Sequence, residues 1–152
     1  MEKSKTYMRR ALLKAQEALD KDEVPVGAII VYKNRIIAKA HNQVELLKDP
    51  TAHAEMIAIT QASSFLKSKW LAGCSLYATI EPCSMCAGAL VLSRIDRVYF
   101  GAYDPKTGAF GSKLNINSLK LNHKLKVKGG VLEKECSQIL QKFFKGKRKN
   151  KS

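Results

Sequence analysis

The stretch GAIIVYKNRIIAKA, residues 27–40, decides the fold. Residues 27–32 are apolar and β-branched, residues 33–35 form a polar turn, and residues 36–40 resume an apolar run. That pattern predicts a β-hairpin. Upstream, Tyr7, Met8, Ala11, Leu12, Ala15, Ala18 and Leu19 recur at helical spacing, so an amphipathic helix precedes the hairpin. Downstream the elements alternate. A polar loop at 42–51 leads into helical composition at 52–65, and after Gly73 residues 75–79 read as a third strand. Pro82 opens a helix over about 83–92, because proline suits a first helical turn, and residues 97–101 form a fourth strand. A long connection containing Gly108 and Gly111 follows, of the kind that often carries function. Residues 126–131 suggest a short fifth strand, weakened by Gly129-Gly130, and 133–144 a final helix with Leu132, Cys136, Ile139, Leu140 and Phe143 along one face. A hairpin followed by alternating helices and strands predicts an α/β chain, one sheet with helices on its faces.

At 152 residues the chain has the length of a single domain able to bury a core without staples. No apolar run approaches eighteen residues, and the N-terminus is charged without an apolar signal core, so a cytoplasmic protein with no membrane contact is expected. Four cysteines are too few and too unevenly spaced for a secreted disulfide framework. Cys74 and Cys136, with apolar neighbours, are expected in the core. Lys plus Arg number 27 against 13 acids, a net charge of +14, which points to a polyanionic partner and to nucleic acid before membrane.

The chemistry concentrates in two short motifs, His53-Ala54-Glu55 and Pro82-Cys83-Ser84-Met85-Cys86, each at an expected helix start. Zinc takes thiolate sulfur and imidazole nitrogen, and a catalytic site keeps one of four positions for water. Cys83 and Cys86, three residues apart, share a helix face, and a helix N-terminus favours the thiolate. Two thiolates and a neutral imidazole leave the metal centre formally neutral. His53 and Glu55 diverge in a regular helix and converge only at a helix end. There Glu55 stands beside the metal's water and shuttles its proton, without binding the metal. Two other readings compete. A redox pair fits Cys83-x-x-Cys86 alone, but leaves His53 and Glu55 without a task and lacks redox-type flanks. A structural zinc needs a fourth ligand, and Cys74, Cys136, His41 and His123 show no pairing that supplies one.

The pairing of His-Ala-Glu with Pro-Cys-x-x-Cys resembles the cytidine deaminase superfamily. The likeness is closer still to bacterial tRNA-specific adenosine deaminases, through EVPVGA (residues 23–28), DPTAHAE (49–55), EPCSMCAGA (81–89) and KTGA (106–109). It runs from about Tyr7 to Phe144. The resemblance implies a three-layer cytidine-deaminase-like fold, with a central five-stranded mixed sheet flanked by helices. It implies a deaminase domain over residues 1–145, followed by a basic tail at 146–152. It also implies one Zn2+ per chain on His53, Cys83 and Cys86, with Glu55 as proton shuttle, and conversion of adenosine to inosine at the wobble position of a tRNA anticodon stem-loop. Asn42 matches the asparagine that binds the flipped base, Ala54 the pocket floor, and Pro82 is grouped with these substrate-facing positions. Asp104, Lys106 and Thr107 match the loop near the extruded nucleotide, and Asn122 with His123 a polar pair near the groove. A homodimer is expected on the same ground.

From Lys142 to Ser152, six of eleven residues are basic (Lys142, Lys145, Lys147, Arg148, Lys149 and Lys151), which suits phosphate attraction. Phe143 falls on the apolar stripe of the last helix, whereas Phe144 lies off it and is the candidate to stack on an unpaired base. Two alternatives remain beside the tRNA enzyme. A deaminase of free guanine, cytosine or nucleosides has no need of a cationic tail. A noncatalytic zinc-containing RNA-binding subunit is expected to lack the acid that Glu55 provides.

Overall fold

The computed structural model describes residues 2–150, with side chains for residues 2–147, so Lys151, Ser152 and the side chains of Arg148 and Lys149 in the basic tail lie outside the described residues. The elements run α1 (Glu2–Asp20), β1 (Gly27–Tyr32), β2 (Arg35–His41), α2 (Val44–Leu47), α3 (Ala54–Leu66), β3 (Cys74–Ile80), α4 (Ser84–Ser93), β4 (Arg97–Ala102), a 3-10 turn (Ile116–Leu119), β5 (Lys126–Lys128) and α5 (Glu133–Asn150). The hairpin turns at Lys33 and Asn34, both at positive φ (49° and 63°), the left-handed pair that matches strand twist. The strand order is β2-β1-β3-β4-β5. β1 is antiparallel to β2 and β3, while β4 is parallel to β3 and β5, so the five-stranded sheet is mixed.

Helices cover both faces. On one, Ala54, Ala58 and Ala62 of α3 and Ala87 and Leu90 of α4 pack on Ile30, Leu76 and Val98. On the other, Met8 and Ala11 of α1 and Cys136 of α5 pack on Ile29, Val31 and Tyr77. Small residues let α1 lie close: a Cβ at Gly27 would overlap the Ala11 carbonyl and the Ala15 amide. Cys74 and Cys136 are fully buried, as expected.

The departures from the sequence reading sit at element ends. The 42–51 loop contains the one-turn helix α2, and β5 stops at Lys128 because Gly129 packs against the Phe100 ring and Gly130 turns at φ 79°. The last helix does not end at Phe144 but continues through Asn150, carrying much of the basic tail as helix. α3 and α4 each begin one or two residues later than read, and that shift builds the site.

Candidate active site

His53 and Cys83 occupy the N-cap positions of α3 and α4, both in extended backbone (φ −73°, ψ 149° and φ −76°, ψ 176°). Neither side chain caps its own helix, so both donor atoms stay available and lean off the helix end. Cys86 lies in the first turn of α4, buried. His53 Nδ1 stands 3.7 Å from Cys83 Sγ and 3.6 Å from Cys86 Sγ. Tetrahedral zinc, with its usual bond lengths to nitrogen and sulfur, sets such donors about 3.6 Å apart. The three donor atoms all fall within 4.8 Å of one another, and no carboxylate joins them, so the group fits a metal ion with three protein ligands. Glu55, in the first turn of α3 and 2% exposed, stands beside the group without belonging to it.

The electrostatics follow from burial and one shared proton. A hydrogen bond from Cys86, against the cost of burial and with help from His53, brings the Cys83 thiol down to about 4. Cys86, donor in that bond and buried beside Glu55, is pushed far up. The Cys83 contact raises His53. Burial raises Glu55 to about 7, since a low-dielectric surround penalises its charged form. Without metal the two thiols therefore hold one proton between them, which a dication would displace.

The site opens into a cavity of about 450 Å³. His53, Ala54, Glu55 and Cys83 form one end, Asn42, Asp104 and Thr107 stand on its walls, and Val24, Val26, Ile80 and Phe143 supply apolar surface. Asn42 is buried; its Nδ2 donates to the Val24 carbonyl at 3.3 Å, leaving Oδ1 buried without a hydrogen-bond partner among the described residues. Asp104 is engaged within its own loop: Oδ1 accepts from the amides of Lys106 (3.0 Å) and Thr107 (3.2 Å), and Oδ2 from the Thr107 hydroxyl (2.7 Å). Pro82 is buried behind the site, its carbonyl accepting from the Ala109 amide at 2.9 Å.

The other predicted positions do not line this cavity. Lys106 is exposed on the loop and Phe144 is 48% exposed on α5. Asn122 is exposed, its carbonyl bound by Arg94, and His123 Nε2 lies 2.6 Å from the Ile95 carbonyl. Both partners precede β4, whereas Asp104 follows it, so this pair sits at the far end of that strand.

The model of the MafB19-like deaminase family matches residues 2–148. The chain belongs to that family. This deaminase is 54% identical over 145 residues to the tRNA-specific adenosine deaminase of Aquifex aeolicus, covering 95% of each chain. It is 46% identical over 152 residues to the tRNA-specific adenosine deaminase of Bacillus subtilis, covering 99% of this chain and 94% of that one. Its fold superimposes with a TM-score of 0.82 on a structure from a study of A-to-I editing by tRNA:A34 deaminases at the wobble position of transfer RNA. There the identity is 40%, with 88% of this chain and 98% of the other covered.

Two buried acids of the deaminase's cavity were given no role from the sequence. Glu23, 2% exposed, accepts from the Glu45 and Leu46 amides (2.9 and 2.7 Å) and fixes α2 on one wall. Glu81, 1% exposed, does the same for the 104–112 loop. Burial opposes ionisation of Glu81, yet hydrogen bonds from Ser112, Asp104 and Phe110 hold its carboxyl below the usual range. Lys147 of α5 reaches Asp22 at 3.1 Å, and both line the cavity. The available signal was position: each glutamate opens one of the motifs, EVPVGA and EPCSMCAGA.

Proposed function

We propose that this deaminase hydrolyses adenosine to inosine at the wobble position of a tRNA anticodon. The observation that carries the chemistry is a three-donor His53–Cys83–Cys86 group sharing a cavity with a buried Glu55 outside the donor set. The donor set fits Zn2+, which when bound supplies a water activated at neutral pH. Glu55 would move two protons, one from the attacking water to the adenine ring nitrogen and the second from the hydroxyl left on the ring carbon to the departing amine. In balance, water adds at the amine-bearing ring carbon, the carbon–nitrogen bond breaks, and ammonia leaves. Asn42, with its unpartnered Oδ1, is the residue placed to accept a hydrogen bond from the nucleoside, and Ala54, without bulk, leaves room for the base.

The substrate follows from the named relatives together with the charge. A net +14 with a basic α5 suits an RNA whose phosphates stay outside the cavity, while one nucleoside enters. Lys106 and Phe144, exposed beyond the cavity, would contact that RNA, Asp104 and Thr107 form the wall the nucleotide meets, and Pro82 supports that wall from behind through its bond from Ala109. Asn122 belongs to the same proposal only as a more distant RNA contact. A homodimer in the cytoplasm completes it: Leu46, Leu47 and Leu92 are more than half exposed, apolar surface for a second copy to cover, and four free cysteines suit a reducing compartment. No helix among the described residues is long and apolar enough to cross a membrane.

The test is direct. Zinc-loaded protein converts the wobble adenosine of an anticodon stem-loop to inosine and leaves free adenosine, cytidine and guanine untouched. Rapid turnover of a free base with an inert stem-loop would defeat the proposal.

A further inference from the structure

We infer that Glu81 is a positioning residue for the substrate: its buried carboxylate ties the 104–112 loop to the start of α4 and so sets where Asp104 and Thr107 stand relative to the metal ligands. This rests on the functional reading above and adds a residue to it. A carboxylate taken out of water is costly unless its oxygens are fully engaged. Those of Glu81 are. Oε1 accepts from the Asp104 amide (3.1 Å) and the Ser112 hydroxyl, and Oε2 from the amides of Phe110 (3.0 Å) and Ser112 (3.1 Å). With four donors converging on it, Glu81 is filled as an acceptor and is no rival to Glu55 as proton carrier.

The loop is shaped around that carboxylate. A Cβ at Gly108 would overlap the Glu81 carboxyl group, so glycine is what lets the chain close over it. On its other side Glu81 is anchored, its amide donating to the Ala102 carbonyl at 2.8 Å, and its neighbour Pro82 accepts from Ala109. Cys83, two residues after Glu81, is itself bridged to Gly108. The loop has no regular secondary structure from 104 to 112 to satisfy its amides otherwise. Glu81 is therefore the common anchor for three of them. Asp104 and Thr107, bonded to each other, move as one piece with this loop. His53, Glu55 and Cys86 are held by α3 and α4 and do not depend on it. Loosening Glu81 should therefore weaken substrate binding and leave the chemical step largely in place.

The experiment compares full-length, zinc-loaded wild type with Glu81→Gln and Ser112→Ala. Gln places an N–H against donors that Oε2 now receives, and Ala removes one donor while leaving the carboxylate. In Glu81→Gln, hydrogen exchange at the Asp104, Phe110 and Ser112 amides should accelerate while the amides of α4 stay protected. KM for the anticodon stem-loop should rise about tenfold or more, as expected for losing hydrogen bonds to a charged acceptor. By the same logic kcat should stay within about threefold and zinc content should hold. Ser112→Ala should shift KM the same way by less. Unchanged KM in both variants, or a fall in kcat at constant KM, overturns the inference. If Glu81→Gln does not fold, Ser112→Ala decides on the same KM criterion. If wild type leaves the stem-loop untouched, the functional reading fails instead. Amide exchange then judges the tie alone: acceleration supports it, and unchanged protection overturns it.

Discussion

Burial strips water from Glu55 and brings its carboxyl to about 7, where one group can both accept and give a proton near neutral pH. Glu55→Gln keeps size and position but can do neither. We expect it to bind zinc and the RNA stem-loop as wild type does, and to lose deamination by about a hundredfold to ten-thousandfold. Single-turnover inosine formation beside metal analysis measures both; undiminished turnover would remove Glu55 from the mechanism. The cysteines make a second, independent prediction. In zinc-free protein Cys83 is brought to about 4, whereas burial pushes Cys74 to about 11 and Cys136 to about 12. The thiolate is the reactive form, so near pH 6 iodoacetamide should label Cys83 first and leave Cys74 and Cys136 unmodified in the folded chain. Zinc should protect Cys83. Labelling spread evenly over the four cysteines, read by peptide mass spectrometry, would contradict this.

Two helix starts turn ordinary side chains into a site, because an N-cap residue is extended and projects forward from the helix end. The sequence motifs showed that His53, Glu55, Cys83 and Cys86 belong together near such starts, since the spacing of His53 and Glu55 makes sense nowhere else. They did not show the cap positions themselves: helix boundaries depend on backbone angles that composition does not set within a residue or two. The hairpin and β3, β4, α3 and α4 were legible because their apolar periods are strong. α2 was not, being one turn long with no buried residue. Glu23 and Glu81 escaped for a different reason. A glutamate in a motif looks like any solvated acid until folding carries it inside, where its partners are backbone amides far along the chain. The same dependence on tertiary packing applies to α1 against β1. Gly27→Ala forces a methyl group into the Ala11 carbonyl and the Ala15 amide of α1, backbone that cannot swing aside as a side chain would, and should cost about 1–3 kcal/mol through overpacking. Chemical denaturation should show the lower midpoint with an unchanged m-value; a midpoint equal to wild type would mean α1 yields freely.

Across the molecule the charge is unevenly placed, and the unevenness bears on how RNA is held. The cavity is lined by Asp22, Glu23, Glu45, Glu55, Glu81 and Asp104, with Lys147 the only lysine or arginine lining it among the described residues. A phosphate entering such a pocket is repelled by those carboxylates, whereas an uncharged base carries no charge for them to repel. The excess of +14 must therefore act outside it. α5 joins the two regions: Phe143 and Lys147 reach the cavity, while Lys142 and Lys145 face solvent. Asp22 holds Lys147 at the rim, a partly exposed pair that contributes little to stability but keeps one cation where a strand would pass. Removing residues 145–152 deletes Lys145, Lys147, Arg148, Lys149 and Lys151 and leaves the metal group and Glu55 intact. Affinity for the anticodon stem-loop should fall, and the plot of log affinity against log salt should flatten by about 0.7 for each phosphate of a single-stranded segment that the protein ceases to neutralise. The shortened chain should still deaminate at saturating RNA and high protein concentration, because the reacting groups lie on α3 and α4. Fluorescence anisotropy across a salt series, beside kcat on the same RNA, separates the two effects. A salt slope unchanged by the deletion would place the phosphate-binding cations elsewhere on the surface, and a kcat abolished with affinity retained would make α5 part of the chemistry.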